Sequence, residues 1–421
     1  IKSYAIRKLT PFECFRLMGV RDDVIRTMQS TNAEAAERVA GYKSKGKAED
    51  MAVSASQQYK QAGNSIVVDV LAAIYQQLWY PKEPKREAQT SFFADFFPED
   101  QLPPYPVDKN HGEKLILTTF SGYDSQLMAA DVLAQQHPDF HWTCVGWSDI
   151  DKYACQMHDL IFPQFADKAL GDITKIDWQQ VKNNVGGQEI DLFTYSSPCQ
   201  DISQAGKQMG LKEGSDTRSA LLWRVADAIE VLRPKYLLQE NVAALVSEKF
   251  MPDFQKWLDK LSSLGYVSRW ARLNAKDYGV PQNRDRVFCL SMRKDVAFDY
   301  QFPDPIPLKR KLEDVLQEEV DIRFFLKDEA VSKFLQANDK DTCVFHQFEI
   351  DPSHENAMAL KAILTLFTKE SHLWYHTPKE MQEKLSSIHT DVMTLFNDWK
   401  ENGKFANPKL DNLYHQFLER K

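Results

Sequence analysis

Between Lys114 and Arg293 the sequence alternates short apolar runs with turn residues and helical stretches, and this alternation constrains the fold more than any other feature. The apolar runs predict strands over residues 115–120, 143–148, 192–196, 236–239 and 286–292, with helices such as 219–232 and 252–264 between them. Alternation of this kind predicts an α/β fold with a doubly wound, mostly parallel sheet. Ligands of such sheets bind at the carboxyl ends of the strands.

The segments on either side of this region have a different texture. Thr10 can cap a helix that begins at Pro11, with Glu13 completing a capping box, and a turn signal at 62–65 precedes the spacing of a buried helix. Prolines break the periodicity between 81 and 113. We therefore expect four parts, namely a first segment over 1–80, a linker over 81–113, the α/β domain over 114–307 and a helical C-terminal region over 308–421.

Composition excludes several classes of protein. With 43% hydrophobic and 27% charged residues, the chain resembles a globular protein; it shows no bilayer-length apolar run, and no apolar stretch follows its polar, basic first residues. Its six cysteines are scattered without zinc-clamp spacing, so we predict no metal site and an intracellular, cytoplasmic location. Without a long apolar run, we predict no membrane contact. A net charge of -8 argues mildly against nucleic acid, although only the contacting face decides such binding.

Three segments carry groups suited to covalent catalysis. Cys199, in Pro198-Cys199-Gln200, follows an apolar run and so lies on a loop at a strand's carboxyl end. Glu240 follows a second such run, which brings a carboxyl group to the same crevice. Two arginines, Arg284 and Arg286, precede the last strand. An inert cysteine, an exposed glutamate and a surface ion pair are the ordinary fates of these residues.

Three further segments are placed to meet a cofactor. Phe120-Ser121-Gly122 ends the first strand and precedes a helix, where backbone N–H groups can bind polar groups. Asp149 follows the second strand and could accept hydrogen bonds from a ribose diol. Asp172 could accept one from an adenine amino group. Taken alone, an aspartate in such a place is more often a turn residue or a helix cap.

Together these segments resemble the DNA (cytosine-5) methyltransferases over residues 4–74 and 115–293. Pro198-Cys199-Gln200 looks like the family's catalytic loop, Glu240-Asn241-Val242 like its proton-donor motif and Gln282 to Arg286 like its arginine motif. The resemblance implies a fold of the S-adenosylmethionine-dependent methyltransferase type, with Cys199 as nucleophile, Glu240 as proton donor and Arg284 or Arg286 at the cytosine O2. It implies cofactor contacts from Phe120, Gly122, Asp149, Ile150, Asp172, Pro198, Leu221, Asn64 and Ser65.

The order of the motifs differs from the usual one. Residues 7–19 resemble the segment that braces the recognition domain, and residues 61–65 resemble the closing cofactor motif, yet both come first here. The chain therefore resembles a circularly permuted member, in which residues 1–80 complete the catalytic domain. Residues 308–421 occupy the place of the recognition domain, but their helical, glycine-poor character is unlike a loop-rich DNA reader. Asp124 stands where the family has glycine-rich sequence, and an acidic side chain there would weaken cofactor binding unless it points away or meets the ammonium group of the cofactor.

The expected partner is double-stranded DNA, with a cognate restriction endonuclease or a separate recognition subunit as a further partner. The family implies a role in restriction-modification or phage self-protection in a prokaryote. The same chemistry on RNA and a non-catalytic regulatory module stay open as alternatives. A dinucleotide-dependent oxidoreductase fits the sheet, but the Gly-x-Gly-x-x-Gly fingerprint does not follow the first strand.

Overall fold

The computed structural model describes residues 7–30, 53–81, 112–196, 221–325, 354–368 and 389–419. These residues belong to two compact units. The larger unit spans Leu9–Glu319, and the smaller one comprises Ile1–Lys8 together with Val320–Lys421.

A six-stranded sheet forms the centre of the larger unit, in the order β2-β1-β3-β4-β6-β5. Neighbours among β1 to β4 pair in parallel, whereas β6 runs antiparallel to both β4 and β5. The predicted α/β fold with a mostly parallel sheet is thus confirmed. The strands are β1 (Lys114–Thr119), β2 (Trp142–Ser148), β3 (Leu192–Tyr195), β4 (Tyr236–Val242), β5 (Tyr266–Asn274) and β6 (Asp285–Arg293).

Nine helices are described in this unit, and many begin at side chains that cap helices well. Thr10 and Glu13 form the predicted capping box, in which the Glu13 amide donates to Thr10 Oγ1 over 3.2 Å and the Thr10 amide donates to Glu13 Oε2 over 2.8 Å. The helices are α1 (Pro11–Arg16), α2 (Asp22–Gln29), α3 (Ala55–Asn64), α4 (Val68–Trp79), α5 (Ser125–Gln136), α6 (Lys152–Ile161), α7 (Trp178–Asn184), α8 (Leu222–Leu232) and α9 (Met251–Ser263).

The sheet has a hydrophobic core on each face, because successive side chains of a strand point to opposite sides. Ile116, Leu192 and Leu238 lie in the first core, and their neighbours Leu117, Phe193 and Leu237 lie in the second. Helices α4 and α5 pack into the first core, whereas α7, α8 and α9 pack into the second. The N-terminal segment therefore supplies one wall of the sheet's own core.

In the smaller unit, the described helices pack around a core of their own. They are α10 (His354–Thr368), α11 (His389–Asn402) and α12 (Pro408–Glu419), and their buried side chains include Leu360, Ile363, Phe396, Trp399 and Tyr414. The expected helical character holds for these segments, whereas residues 312–315 and 322–324 form only short 3-10 turns. Among the described residues, no helix is long and apolar enough to cross a membrane.

Leu71 in α4 tests whether the N-terminal segment is part of the same cooperative unit as the sheet. Its side chain is fully buried, so Leu71→Ala should lower the free energy of unfolding by about 2–5 kcal/mol, as core truncations of leucine do. Urea unfolding measures the effect. Leu308→Ala, at a side chain that is 44% exposed, is the control and should change stability by less than about 0.5 kcal/mol. Equal effects of the two substitutions would contradict this packing.

Candidate active site

The carboxyl ends of β1, β2, β3 and β4 lie along one edge of the sheet, since these strands are parallel. Because β6 is antiparallel to β4, its first residues lie at the same edge, with Arg286 paired opposite Val242. The sheet therefore gathers Gly122, Asp149, Glu240 and Arg286, which are far apart in the sequence.

Glu240 and Arg286 form an ion pair at this edge. Arg286 Nε lies 3.1 Å from Glu240 Oε1, and the glutamate is only 9% exposed. Burial raises the pKa of Glu240 above its usual value, while the positive charges of Arg286 and Arg284 and the Ser196 hydroxyl act to lower it. The carboxyl group thus holds a proton at higher pH than an exposed glutamate does, as a proton donor requires.

The end of β3 lies directly beside this pair. Tyr195 of β3 pairs in parallel with Gln239 of β4, so that Ser196 and Glu240 come next on neighbouring strands. Ser196 is the last described residue before the predicted catalytic loop. Pro198 and Cys199 lie outside the described residues, and their predicted roles stay predictions.

The two arginines of the predicted arginine motif make different contacts. Whereas Arg286 pairs with Glu240, Arg284 Nη2 donates to the carbonyl oxygens of Gly63 over 2.8 Å and of Ser65 over 2.5 Å. From the sequence alone, either arginine is a candidate for the contact with the cytosine O2. The geometry brings Arg286 to the carboxyl group and ties Arg284 to the turn at residues 63–65.

This turn also reaches the predicted cofactor loop. Ser65 Oγ lies 3.3 Å from Ser125 Oγ at the start of α5, and Lys60 Nζ lies 2.7 Å from Asp151 Oδ2 at the start of α6. Asn64 ends α3 and is exposed. The N-terminal segment therefore contacts the ends of both β1 and β2, as the predicted cofactor roles of Asn64 and Ser65 require.

The loop after β1 has an unusual backbone. Phe120, Gly122 and Asp124 all adopt left-handed conformations, with φ of 53°, 59° and 67°, and two of these are not glycine. The Gly122 amide donates to Asp149 Oδ2 over 2.8 Å, and the Ser121 amide donates to the Ser148 carbonyl over 3.1 Å. These bonds hold the predicted cofactor loop against the end of β2.

Asp149 is held on both sides of its carboxylate. Besides the Gly122 amide, the Asp151 amide donates to Asp149 Oδ1 over 2.7 Å, and burial raises the pKa of the carboxyl group. Each oxygen keeps a second lone pair for a hydroxyl donor. Ile150, the next residue, is 75% exposed, which leaves an apolar surface beside the carboxylate.

Asp172 is brought to the same edge but makes the contacts of a helix cap. Ser148 Oγ donates to the Gly171 carbonyl over 2.6 Å, which ties this loop to β2. Asp172 Oδ1 accepts from the amide and the hydroxyl of Thr174, and these bonds lower the pKa of the carboxyl group. The contact with an adenine amino group stays a prediction.

The residues at this edge fit an adenosyl group. A Cβ atom added to Gly122 or Gly171 would meet no described atom within 4 Å, and Gly122 lies beside the carboxylate of Asp149, which precedes the exposed side chain of Ile150. Leu221, also predicted to contact the cofactor, is half-buried and lies directly before α8. Among the described residues, no group of three or more His, Cys, Asp or Glu side chains could hold a metal ion.

Sequence reasoning missed several residues that shape this edge. Asn274, at the end of β5, accepts from the Arg284 amide over 3.2 Å and donates to Asn283 Oδ1 over 2.7 Å, which fixes the arginine motif. For Asp124 the sequence leaves open whether the side chain faces the cofactor or points away, and the structure buries it fully, where it accepts from Thr118 Oγ1 over 2.7 Å. It therefore points into the protein interior. The helical N-cap position of Asp124 was the signal available in the sequence.

The chain is similar to known proteins. A family model described as C-5 cytosine-specific DNA methylase matches residues 128–404. The type II methyltransferase M2.ScrFI of Lactococcus lactis subsp. cremoris is 44% identical over 177 residues, which are 42% of this chain and 47% of that protein. The orphan methyltransferase M.SssI of Spiroplasma monobiae is 42% identical over 145 residues, 33% of this chain and 38% of that protein. This chain thus spans less than half the length of either relative.

Among solved structures, the S. pombe Dnmt2 methyltransferase is similar with a TM-score of 0.39 and 18% sequence identity. The match covers 53% of this chain and 66% of that one.

The contacts of Arg284 predict a loss of stability that a surface arginine does not share. Arg284→Ala removes two hydrogen bonds to backbone carbonyls and should lower the free energy of unfolding by about 1.5 kcal/mol. Arg272→Ala is the control. Arg272 pairs with Asp285 at an exposed site, where an ion pair contributes less than about 1 kcal/mol to stability. Urea unfolding compares the two variants. An Arg284→Ala effect no larger than that of Arg272→Ala would contradict a stabilising contact between Arg284 and the turn at residues 63–65.

Proposed function

Since this chain belongs to the C-5 cytosine-specific DNA methylase family, we propose that it transfers a methyl group from S-adenosylmethionine to carbon 5 of cytosine in double-stranded DNA. This proposal describes the activity of the whole protein. It is supported by the matched relatives, one of which is named a type II methyltransferase and the other an orphan methyltransferase.

The observation that carries this proposal is the ion pair between Glu240 and Arg286 at the carboxyl edge of the sheet. A cytosine ring attacked at carbon 6 gains electron density at N3 and O2, which a proton donor and a cation stabilise. Glu240, with its raised pKa, suits N3, and the guanidinium of Arg286 suits O2. Arg284 supports this pair by holding the neighbouring turn.

Cys199 is the proposed nucleophile. It comes three residues after Ser196, which lies beside Glu240 at the end of β3. Its thiolate adds to carbon 6 of the cytosine while Glu240 gives a proton to N3, so that carbon 5 becomes nucleophilic. After carbon 5 is methylated, a base, proposed to be water, takes the proton from carbon 5, the Cys199 thiolate leaves, and N3 returns its proton to Glu240, which restores the neutral aromatic ring. The cytosine must be flipped out of the duplex, because its carbon 6 cannot be reached within a base stack.

S-adenosylmethionine supplies the methyl group when it is bound. We propose that Asp149 holds its ribose hydroxyls and that Ile150 packs against its adenine, with Asp172 at the adenine amino group. The remaining contacts are proposed for Phe120, Gly122, Asn64, Ser65, Pro198 and Leu221.

We further propose that the chain is circularly permuted, with residues 1–80 completing the catalytic domain. The packing of α4 against α5 and the contact between Ser65 and Ser125 support this order. The C-terminal region then takes the place of the recognition domain, alone or with a separate recognition subunit. A cognate restriction endonuclease is a proposed partner, in a restriction-modification or phage self-protection role, because type II methyltransferases are among the relatives.

Trapping of the covalent intermediate tests the reaction and its nucleophile. Fluorine at carbon 5 cannot leave as a proton does, so incubation with tritiated S-adenosylmethionine and DNA containing 5-fluorocytosine should yield a denaturation-resistant protein–DNA adduct. Cys199→Ala should form none, whereas Cys14→Ala, at a half-buried cysteine of α1, should form as much as wild type. An adduct with transfer RNA in place of DNA would support the RNA alternative, and an adduct in Cys199→Ala would overturn the assigned nucleophile.

Replacement of Glu240 tests the proton donor. Glu240→Gln keeps the size of the side chain but cannot transfer the proton, so we expect kcat to fall about 10²–10⁴-fold while the affinity for S-adenosylmethionine stays within twofold. Glu248→Gln, at an exposed glutamate eight residues on, should leave both unchanged. Rates of tritium transfer to DNA and equilibrium binding measure the two quantities. A Glu240→Gln variant with undiminished kcat would remove Glu240 from the reaction.

A further inference from the structure

The cofactor loop needs an explanation for its backbone. Left-handed conformations cost an ordinary residue about 1 kcal/mol or more, and Phe120 and Asp124 both adopt one. Aspartate bears this conformation better than most residues, because its short side chain can hydrogen-bond locally. The loop is held by contacts rather than by local preference, and its contacts converge on the side chain of Asp124.

The Asp124 carboxylate ties the loop to the sheet and to the following helix. Oδ2 accepts from Thr118 Oγ1 of β1 over 2.7 Å, and Oδ1 accepts from the Leu127 amide in the first turn of α5 over 3.2 Å. Thr118 Oγ1 also lies 2.8 Å from Ser121 Oγ, so the same network reaches the middle of the loop. Both oxygens act as acceptors, which the ionised carboxylate does best.

A histidine lies behind this carboxylate. His158 of α6 is fully buried, with Nε2 at 3.6 Å from Asp124 Oδ2 and Nδ1 at 3.7 Å from Asp159 Oδ1. Its ring stacks on Trp147 of β2 at 3.8 Å between centroids, which fixes the orientation of the two nitrogens. A buried carboxylate is costly without polar partners, and the His158 ring is the polar group that α6 places beside this one.

We propose that Asp124 and His158 are positioning residues, which hold the loop at 120–124 in the conformation that binds S-adenosylmethionine without touching the cofactor themselves. This proposal rests on the proposed function, since it assigns a ligand to that loop. The affinity for the cofactor then depends on the Asp124 carboxylate that is buried beneath the loop.

The surroundings of Asp124 give this dependence a direction. Burial raises the pKa of Asp124 to about 6, although His158 and the hydrogen bonds from Thr118 and Leu127 act against the rise. Acidification through this range protonates the carboxylate and removes an acceptor, so the affinity should fall below about pH 6. The titratable and charged groups that face Asp124 are Tyr75 of α4, Cys144 of β2, Asp149 after β2, and His158 on α6, with Asp159 on the far side of its ring.

Two substitutions separate the carboxylate from the backbone. Asp124→Gly accepts a left-handed backbone without strain but removes every side-chain contact. Asp124→Asn keeps the size, one acceptor oxygen and the tolerance of left-handed φ, but removes the second acceptor oxygen and the titrating charge. Asp177 is the matched control, because it caps α7 with two amide contacts, to Gln179 and Gln180, away from the cofactor loop.

Isothermal titration with S-adenosylmethionine at pH 5 to 7.5 tests the proposal on the full chain. At pH 7.5 we expect Asp124→Gly to bind at least tenfold more weakly than wild type, and Asp177→Gly to bind within twofold of it. Wild-type affinity should fall several-fold from pH 7 to pH 5, and Asp124→Asn should show a shallower profile, with what remains attributable to Asp149.

Two results would overturn the proposal while the proposed function stands. They are an Asp124→Gly variant that binds within twofold of wild type, as a purely backbone role predicts, and superimposable pH profiles for wild type and Asp124→Asn. A wild-type protein that binds no S-adenosylmethionine at any of these pH values would overturn the proposed function and this inference together.

Discussion

The antiparallel pairing of β6 with β4 is the constraint on which the candidate site depends. In a fully parallel sheet, the beginning of a strand lies at the opposite edge from the carboxyl ends of its neighbours. Because β6 runs the other way, Arg286 at its beginning comes to lie beside Glu240 near the end of β4. The reversal of one strand thus brings a cation to an acid whose own strand is otherwise surrounded by apolar side chains. It also explains how one glutamate can be both buried and charge-paired, the two conditions that set its pKa.

A second level of organisation joins the beginning of the chain to this edge. Helix α4 completes the core on one face of the sheet, and the turn before it meets both Arg284 and Ser125. The loop after β1 and the arginine motif are therefore bridged by a segment that precedes β1. Arg284 also connects this turn with Glu240, because its positive charge acts to lower the pKa of that carboxyl group.

Much of the fold follows from the sequence, and the failures have physical causes. Apolar runs predict the four parallel strands and β6. They do not predict β5, because it is an edge strand with polar residues such as Ser268 and Arg272 among its apolar ones. The capping box at Thr10 and Glu13 is predictable because it is local. Which arginine contacts Glu240 is not, since Arg284 is held by Gly63 and Ser65, which lie far away in the sequence. The inward orientation of Asp124 likewise depends on Thr118 and His158, which local patterns do not connect.

The bonds from Arg284 to the turn at residues 63–65 join atoms that are 221 and 219 positions apart in the chain. At roughly 5–20 residues per second, a ribosome needs about 10–40 s to go from one partner to the other. During that time α4 has been made while part of the core that buries it, such as Phe288 and Leu290 of β6, has not. Contacts of such separation also slow folding, because a long loop must close before they form. The nascent protein can therefore complete the contacts of residues 63–65 only after Arg284, directly before β6, has been synthesised.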